Sequence, residues 1–371
     1  MHPKINKFNF SILKKLKNKN TKKIKKFFSG YIKNYIKLDK RFNFNEEINK
    51  KYIFNQLKNI KFQNKPLKYL PIGIKDNINT KVLSTNFGLK NKKKFKIGNN
   101  ARVVDKIIEN GGIVFSKTKC AEFAVHHIGK KFNRNPYNNN HIAGTSSTGS
   151  AISVSVDALP ITIGTQTAGS IIRPASFCGV YGFKPTYGAI DRTGILKTND
   201  LFDTVGLLSK EIKLISLLFK TLIDCSTDYP WTKKYFLNYN KYKMKNTLKI
   251  GYFDENFKIY GEASKDVKIF YNIIINLLKN KFNLKKFNIN KMNDLHKLHE
   301  IAYNKSLSYY IKNYSKNKSS ISKALRKITL KGEKITTKRY NLTIKKIFNY
   351  KKLIKNKLSK FDYLIIPSTF T

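Results

Sequence analysis

Residues 142–188 read IAGTSSTGSAISVSVDALPITIGTQTAGSIIRPASFCGVYGFKPTYG, and the fold turns on how this stretch is interpreted. Two loops of Gly, Ser and Thr, Gly144 to Ser150 and Thr165 to Ser170, flank a segment of small and apolar residues. Loops with so little side chain let backbone N–H groups gather around an anion or an oxyanion, because Gly tolerates positive φ and close backbone approach. Neither G-x-x-x-x-G-K-[ST] nor G-x-G-x-x-G after a strand can be written through these residues, which leaves serine chemistry, with Ser146 in the first loop and Ser170 in the second. A serine hydroxyl needs a neighbouring base to take its proton, commonly His. Nothing pairs His126, His127 or His141 with a particular serine. Lys serves instead when burial lowers its pKa enough for a neutral amine to exist near pH 7. Lys75 stands apart in this respect, at the end of the apolar run Tyr69-Leu-Pro-Ile-Gly-Ile-Lys, whereas most other lysines read as solvated surface groups.

Outward from this stretch, helical and strand patterns alternate. Ser150 to Leu159 predicts a tightly packed helix and Pro160 to Thr165 a short buried strand. Upstream, Ile48, Ile53 and Leu57 share a helical face over 46–60. Val103, Val104, Ile107 and Ile108 share another, ended by Gly111-Gly112 before a strand from Ile113. Downstream, Leu214, Ile215, Leu218 and Leu222 line a helix and Leu248 to Phe253 a strand. Val267, Phe270, Ile274 and Leu277 line a further helix that Ser264 caps. Asn290 to Lys360 is mostly helical by periodicity, and Phe361 to Pro367 reads as a buried strand. Such alternation predicts an α/β sheet.

With 371 residues, 41% of them hydrophobic, the chain can bury a sizeable core. Its net charge of +52 would suit nucleic acid or an anionic membrane. The excess is almost all Lys, however, whereas base-reading and phosphate-clamping surfaces favour Arg. Lys, Asn and Ile rising together point to an AT-rich coding sequence, so no specific nucleic-acid binding is expected. No apolar run is long enough to cross a bilayer. Cys120, Cys178 and Cys225 show neither CxxC nor zinc spacing, which predicts a reducing, cytoplasmic location and no metal or other cofactor. Residues 1–38 lack Asp and Glu but also Arg, so they read as a helical segment and not as a transit peptide.

P-I-G-I-K-D-N at 71–77, R-N-P-Y-N at 134–138, G-T-S-S-T-G-S-A at 144–151, G-T-Q-T-A-G-S-I-I-R-P-A-S-F-C-G-V-Y-G-F-K-P-T at 164–186, D-T-V-G at 203–206 and FDYLIIP at 361–367 together resemble the amidase signature family. The resemblance implies a central mixed β-sheet flanked by helices on both faces, in a single domain over 1–371. That domain would comprise an N-terminal helical segment (1–62), a signature core (63–210) and peripheral helices and strands (211–371). It implies a catalytic triad of Ser170 as nucleophile, Ser146 as bridging serine after a cis peptide bond, and Lys75 as base. The backbone amides of Thr167, Ala168, Gly169 and Ser170 would form the oxyanion hole, and Asp203 would be structural. Arg173, beside the second loop, is expected to pin that loop, the alternative being that it meets a substrate carboxylate. The expected activity is hydrolysis of a small-molecule amide. An alternative is the glutaminase-type A subunit of a tRNA-dependent amidotransferase, which needs partner subunits. A further alternative is an inactive basic binding protein on the same scaffold. Family members continue well past the strand at 361–367, so the C-terminal part is expected to be missing here, supplied by a companion chain, or lost along with activity. Thr145, Thr148 and Ala168 replace glycines common in the motif, and Gln166 stands where amidotransferase A subunits carry Asp, which favours a general amidase.

Overall fold

A computed structural model describes residues 8–60, 65–89, 97–125, 134–223, 247–253, 262–289, 294–314 and 321–370. The chain divides into two compact units, Met1–Leu237 with Asn313–Arg326, and Asn238–Lys312 with Lys327–Thr371. In the first, the elements run α1 (Phe10–Lys17), α2 (Thr21–Phe42), β1 (Asn45–Ile48), α3 (Lys50–Asn59), β2 (Pro71–Lys75), α4 (Arg102–Glu109), β3 (Ile113–Thr118), α5 (Thr148–Ser155), β4 (Ile161–Gln166), α6 (Ile172–Phe177), β5 (Tyr181–Phe183), β6 (Thr204–Ser209) and α7 (Ile212–Leu222).

Six of these strands form a mixed sheet in the order β1-β3-β2-β4-β6-β5. β3, β2 and β4 are parallel, and β1, β6 and β5 are antiparallel to their neighbours. Every residue of β2, β3, β4 and β6 is buried. Strands covered on both faces can carry continuous apolar runs, which is why PIGI and IVF show no polar alternation. α2 presents Phe28, Tyr31, Ile32 and Tyr35 to the core, starting at the cap Asn20 and ending at the left-handed Asn43. Tyr31 and Tyr35 pack edge-on against Phe115 of β3, with ring centroids 5.3 and 5.0 Å away. Their hydroxyls donate to the Ala158 carbonyl at 2.6 Å and to Ser116 Oγ at 2.7 Å, so the buried polar tips are satisfied. Truncating Phe115 to Ala would cost about 3 to 5 kcal/mol, the usual loss for an aromatic ring in such a core.

The second unit is built on three parallel strands, β7 (Lys249–Tyr252), β8 (Asn283–Lys286) and β9 (Tyr363–Ile365), in the order β8-β7-β9. The helix Lys265–Lys279 connects β7 to β8, and Thr337–Leu358 precedes β9. Phe253, Phe287 and Ile289 form a small core.

Three expectations are corrected. Residues 45–48 form an edge strand on β3, and the helix begins only at Lys50, with the Asn49 side chain accepting from the Tyr52 amide at 2.9 Å. The free edge of β3 recruits this segment, a tertiary pairing that local periodicity does not carry. Helix Lys265–Lys279 is present and capped by Ser264, but it buries Tyr271 and Ile275 while Phe270 and Leu277 are each 65% exposed. Tyr271 sets the inward face, because its hydroxyl donates to the Ile365 carbonyl and accepts from the Phe253 amide. Within residues 361–367 only Tyr363–Ile365 form a strand, and it lies at the sheet edge, with Tyr363 and Ile366 about half exposed and not buried.

Candidate active site

β2 and β4 run parallel and adjacent, so their C-terminal ends, Lys75 and Thr165-Gln166, come to the same edge of the sheet. Crevices outside the carboxyl ends of parallel strands are where open α/β sheets bind ligands. Lys75 is fully buried, and its Nζ lies 2.8 Å from Ser146 Oγ, 2.9 Å from Thr165 Oγ1 and 3.3 Å from the Thr165 carbonyl. As an ammonium, Lys75 donates to all three oxygens; as a neutral amine it donates two bonds and offers its lone pair to the third. Burial lowers its pKa to about 8, against the opposing pull of Cys120 and Asp203. Asn77 Nδ2 also donates to Thr165 Oγ1, at 2.9 Å.

Ser146 follows a cis peptide bond from Thr145, and its carbonyl accepts from the Ala121 amide at 3.1 Å. The two small-residue loops are tied together directly, the Ser147 amide donating to the Ser170 carbonyl at 3.3 Å. Two glycines permit that approach. Gly144 adopts φ +75°, and a Cβ there would sit 2.7 Å from Pro174 Cα. A Cβ on Gly164 would meet Ser147 Oγ at 2.8 Å. Arg173 Nε donates to the Thr145 carbonyl at 3.4 Å, which pins the first loop to the second.

Ser170 is nearly buried, at 6% exposure. Among the described residues its hydroxyl has no hydrogen-bond partner, and neither do the amides of Ala168, Gly169 and Ser170. Lys75 and Ser146 are therefore joined by a hydrogen bond, while Ser170 is joined to this pair through backbone. Ala168 is exposed, so the turn at 167–170 faces outward.

Two further side chains hold that turn. Gln166 Oε1 accepts from the Ile171 and Ile172 amides at 2.8 and 3.0 Å, satisfying donors at the start of α6 as an aspartate would, but without charge. Asp203 accepts from Thr167 Oγ1 at 2.5 Å, from Thr198 Oγ1 at 2.6 Å, and from the Thr198 and Asn199 amides. These bonds tie the turn at 167 to the loop at 198–203. Burial raises its pKa and these hydrogen bonds oppose the rise.

Sequence reasoning overlooked Lys117. It is as buried as Lys75, donates to Thr85 Oγ1 at 2.9 Å and to the Ile78 carbonyl, and lies 3.9 Å from Asp76 Oδ1. Burial lowers the Lys117 pKa and raises that of Asp76. Asp76 in turn accepts from the Asn86 and Gly88 amides, so this pair shapes the loop after Lys75. The available signal was the placement of Lys117 inside the run IVFSKT. Cys178 is buried, its Sγ against the Ala143 carbonyl, and burial pushes its thiol pKa up to about 12. His141 is exposed, and His126, His127 and Cys225 lie outside the described residues. Among the described residues, no cluster of His, Cys, Asp or Glu could hold a metal ion, and no helix is long and apolar enough to cross a membrane.

A family model described as Amidase matches residues 27–371. The A subunit of glutamyl-tRNA(Gln) amidotransferase from Exiguobacterium sibiricum is 39% identical over 157 residues, which is 41% of this chain and 33% of that protein. The A subunit of the same amidotransferase from Halothermothrix orenii is 35% identical over 207 residues, 53% of this chain and 43% of that protein. The matched segments thus span a third to under a half of the curated relatives' length. Among solved structures, an amidase shares the fold at TM-score 0.77 and 21% identity, over 92% of this chain and 78% of that one. Kluyveromyces lactis allophanate hydrolase does so at TM-score 0.82 and 18% identity, over 97% and 60%. With the family model covering nearly the whole chain, this protein belongs to the amidase family.

Proposed function

We propose that the chain hydrolyses a small-molecule carboxylic amide through an acyl-enzyme on Ser170. The observation that carries this reading is the contact between the fully buried Lys75 Nζ and Ser146 Oγ at 2.8 Å, in a loop tied to Ser170. In the neutral amine the two N–H groups go to the two Thr165 oxygens and the lone pair accepts from the Ser146 hydroxyl. Ser170 Oγ attacks the amide carbonyl; its proton passes to Ser146 Oγ while the Ser146 proton passes to Lys75. The amides of Thr167, Ala168, Gly169 and Ser170 receive the oxyanion, where one well-placed donor is worth about 10²–10³ in rate. Lys75 then returns a proton through Ser146 to the leaving nitrogen, and the C–N bond breaks. Water entering by the same relay adds to the acyl carbon, and the acid leaves as Ser170 regains its proton.

A fluorophosphonate probe tests this without knowledge of the substrate. Labelling is expected at Ser170. Lys75→Ala and Ser146→Ala should each slow it about 10²-fold or more, the usual contribution of positioned base chemistry. Equal labelling rates in the three proteins would refute the relay.

A second reading, the A subunit of a tRNA-dependent amidotransferase, draws on the 39% and 35% identities to proteins of that name. It predicts ammonia release from glutamine in the presence of partner subunits. Glutamine left intact under those conditions would reject it.

A further inference from the structure

Beside Thr165 lies a cavity lined by Asn77, Thr165, Thr167, Arg192, Thr198 and Asp203 among others, with about 10 Å³ available to the centre of a water molecule. That is room for about one water. Two of the lining residues each carry a buried polar atom with no partner among the described residues, Asn77 Oδ1 and Arg192 Nε. Asn77 is 1% exposed and Arg192 7%. The rest of both side chains is engaged. Asn77 Nδ2 donates to Thr165 Oγ1. Arg192 Nη1 is 3.7 Å from Asp203 Oδ2, and Nη2 donates to Tyr187 Oη and to the Asp200 carbonyl, each at 3.3 Å.

Two residues that line a space of one water thus carry, between them, one orphan acceptor and one orphan donor. An ammonium ion would leave Nε unpaired and add positive charge beside a guanidinium. A halide would leave Oδ1 unpaired. Only a species that both accepts and donates suits the two atoms.

We propose that one ordered water bridges Arg192 Nε and Asn77 Oδ1, and that this bridge makes Asn77 a positioning residue for Lys75. The water accepts from Nε and turns a proton toward Asn77, which selects Oδ1 for the cavity and directs Nδ2 at Thr165. Thr165 Oγ1 then takes one bond from Asn77 and one from Lys75, and the lone pair of the neutral amine stays on Ser146. Among the described residues, Asn77 makes no hydrogen bond to Lys75 or Ser146, so its effect passes through Thr165. The inference rests on the reading of Lys75 as the base.

Two measurements test it. A crystal structure of the full chain, at a resolution that orders waters, is expected to show one water within hydrogen-bonding reach of both atoms; a cavity without that peak overturns the bridge. The pH profile of fluorophosphonate labelling tests the positioning role. Asn77→Ala opens Lys75 to water and leaves Thr165 Oγ1 free to favour the ammonium. Cys120 and Asp203, the titratable groups that act on Lys75, are unchanged. The midpoint is expected to rise by about one unit, so that labelling at pH 7 falls about tenfold while the alkaline plateau is retained. A midpoint that stays in place, or a loss confined to the plateau, overturns the role. Wild-type protein that leaves Ser170 unlabelled overturns the hydrolase reading and Asn77's role with it, while the water peak is decided independently by the crystal structure.

Discussion

Raising the pH from 7 to 9 is expected to speed labelling of Ser170 by about tenfold, because the reactive form of Lys75 is the neutral amine. With its pKa brought to about 8 by burial, the neutral fraction is about 9% at pH 7 and about 91% at pH 9. The sign follows from the charge type. Desolvation disfavours the cation, so the folded value lies below the ordinary lysine value of 10.5 and the base becomes available near neutrality. A fluorophosphonate present in excess, with adduct at Ser170 followed by mass spectrometry, gives the rate at each pH. One proton should govern the curve, with a midpoint near 8. Lys75→Ala should remove that limb. A flat profile in the wild type, or one that rises only near 10.5, would show that Lys75 is not a desolvated base. The same shift affects stability. Between about pH 8 and 10.5 the unfolded chain holds a proton on Lys75 that the folded chain has released, so Lys75 adds stability as pH rises through that window, by up to about 3 kcal/mol. The urea midpoint of the wild type relative to Lys75→Met should change in that direction across that window, and a constant difference would contradict the assignment.

Gly144→Ala should destabilise the protein by about 1 to 3 kcal/mol, since alanine is strained in the left-handed conformation and its Cβ meets Pro174; a urea midpoint equal to the wild type would refute the close approach. Asp203→Asn replaces an oxygen that accepts from backbone amides or hydroxyls with a donor. It should cost about 1 to 3 kcal/mol and slow Ser170 labelling by loosening Thr167, and a variant with unchanged melting and labelling would show that this knot is dispensable.

Much of the fold was legible because the central strands are buried on both faces and read as unbroken apolar runs between glycine-rich loops. The helices at 102–109 and 212–222 were legible because one stripe is apolar and the other is not. The edge strand at 45–48 was not, since its conformation depends on hydrogen bonds from a strand far along the chain. The inward face of Lys265–Lys279 was hidden by apolar residues on several sides, and the choice fell to the hydroxyl of Tyr271. At the candidate site, the motifs singled out Lys75, Ser146 and Ser170, and the structure joins Lys75 to Ser146 by a hydrogen bond and the Ser146 loop to Ser170 through backbone. Lys117 was harder to read, because in a chain so rich in lysine only its placement inside the run IVFSKT marks it as buried.

The sequence alone determined the α/β class, the two serine loops and the lysine strand, because these rest on local conformational freedom and short-range patterns of apolar residues. Only the tertiary structure decided that the Lys75 amine meets Ser146 and Thr165, that Gln166 and Asp203 hold the turn before Ser170, and that Asn77 and Arg192 line one cavity. Each of those facts is a distance between residues remote in the chain, and such distances exist only once the sheet has brought its strand ends together.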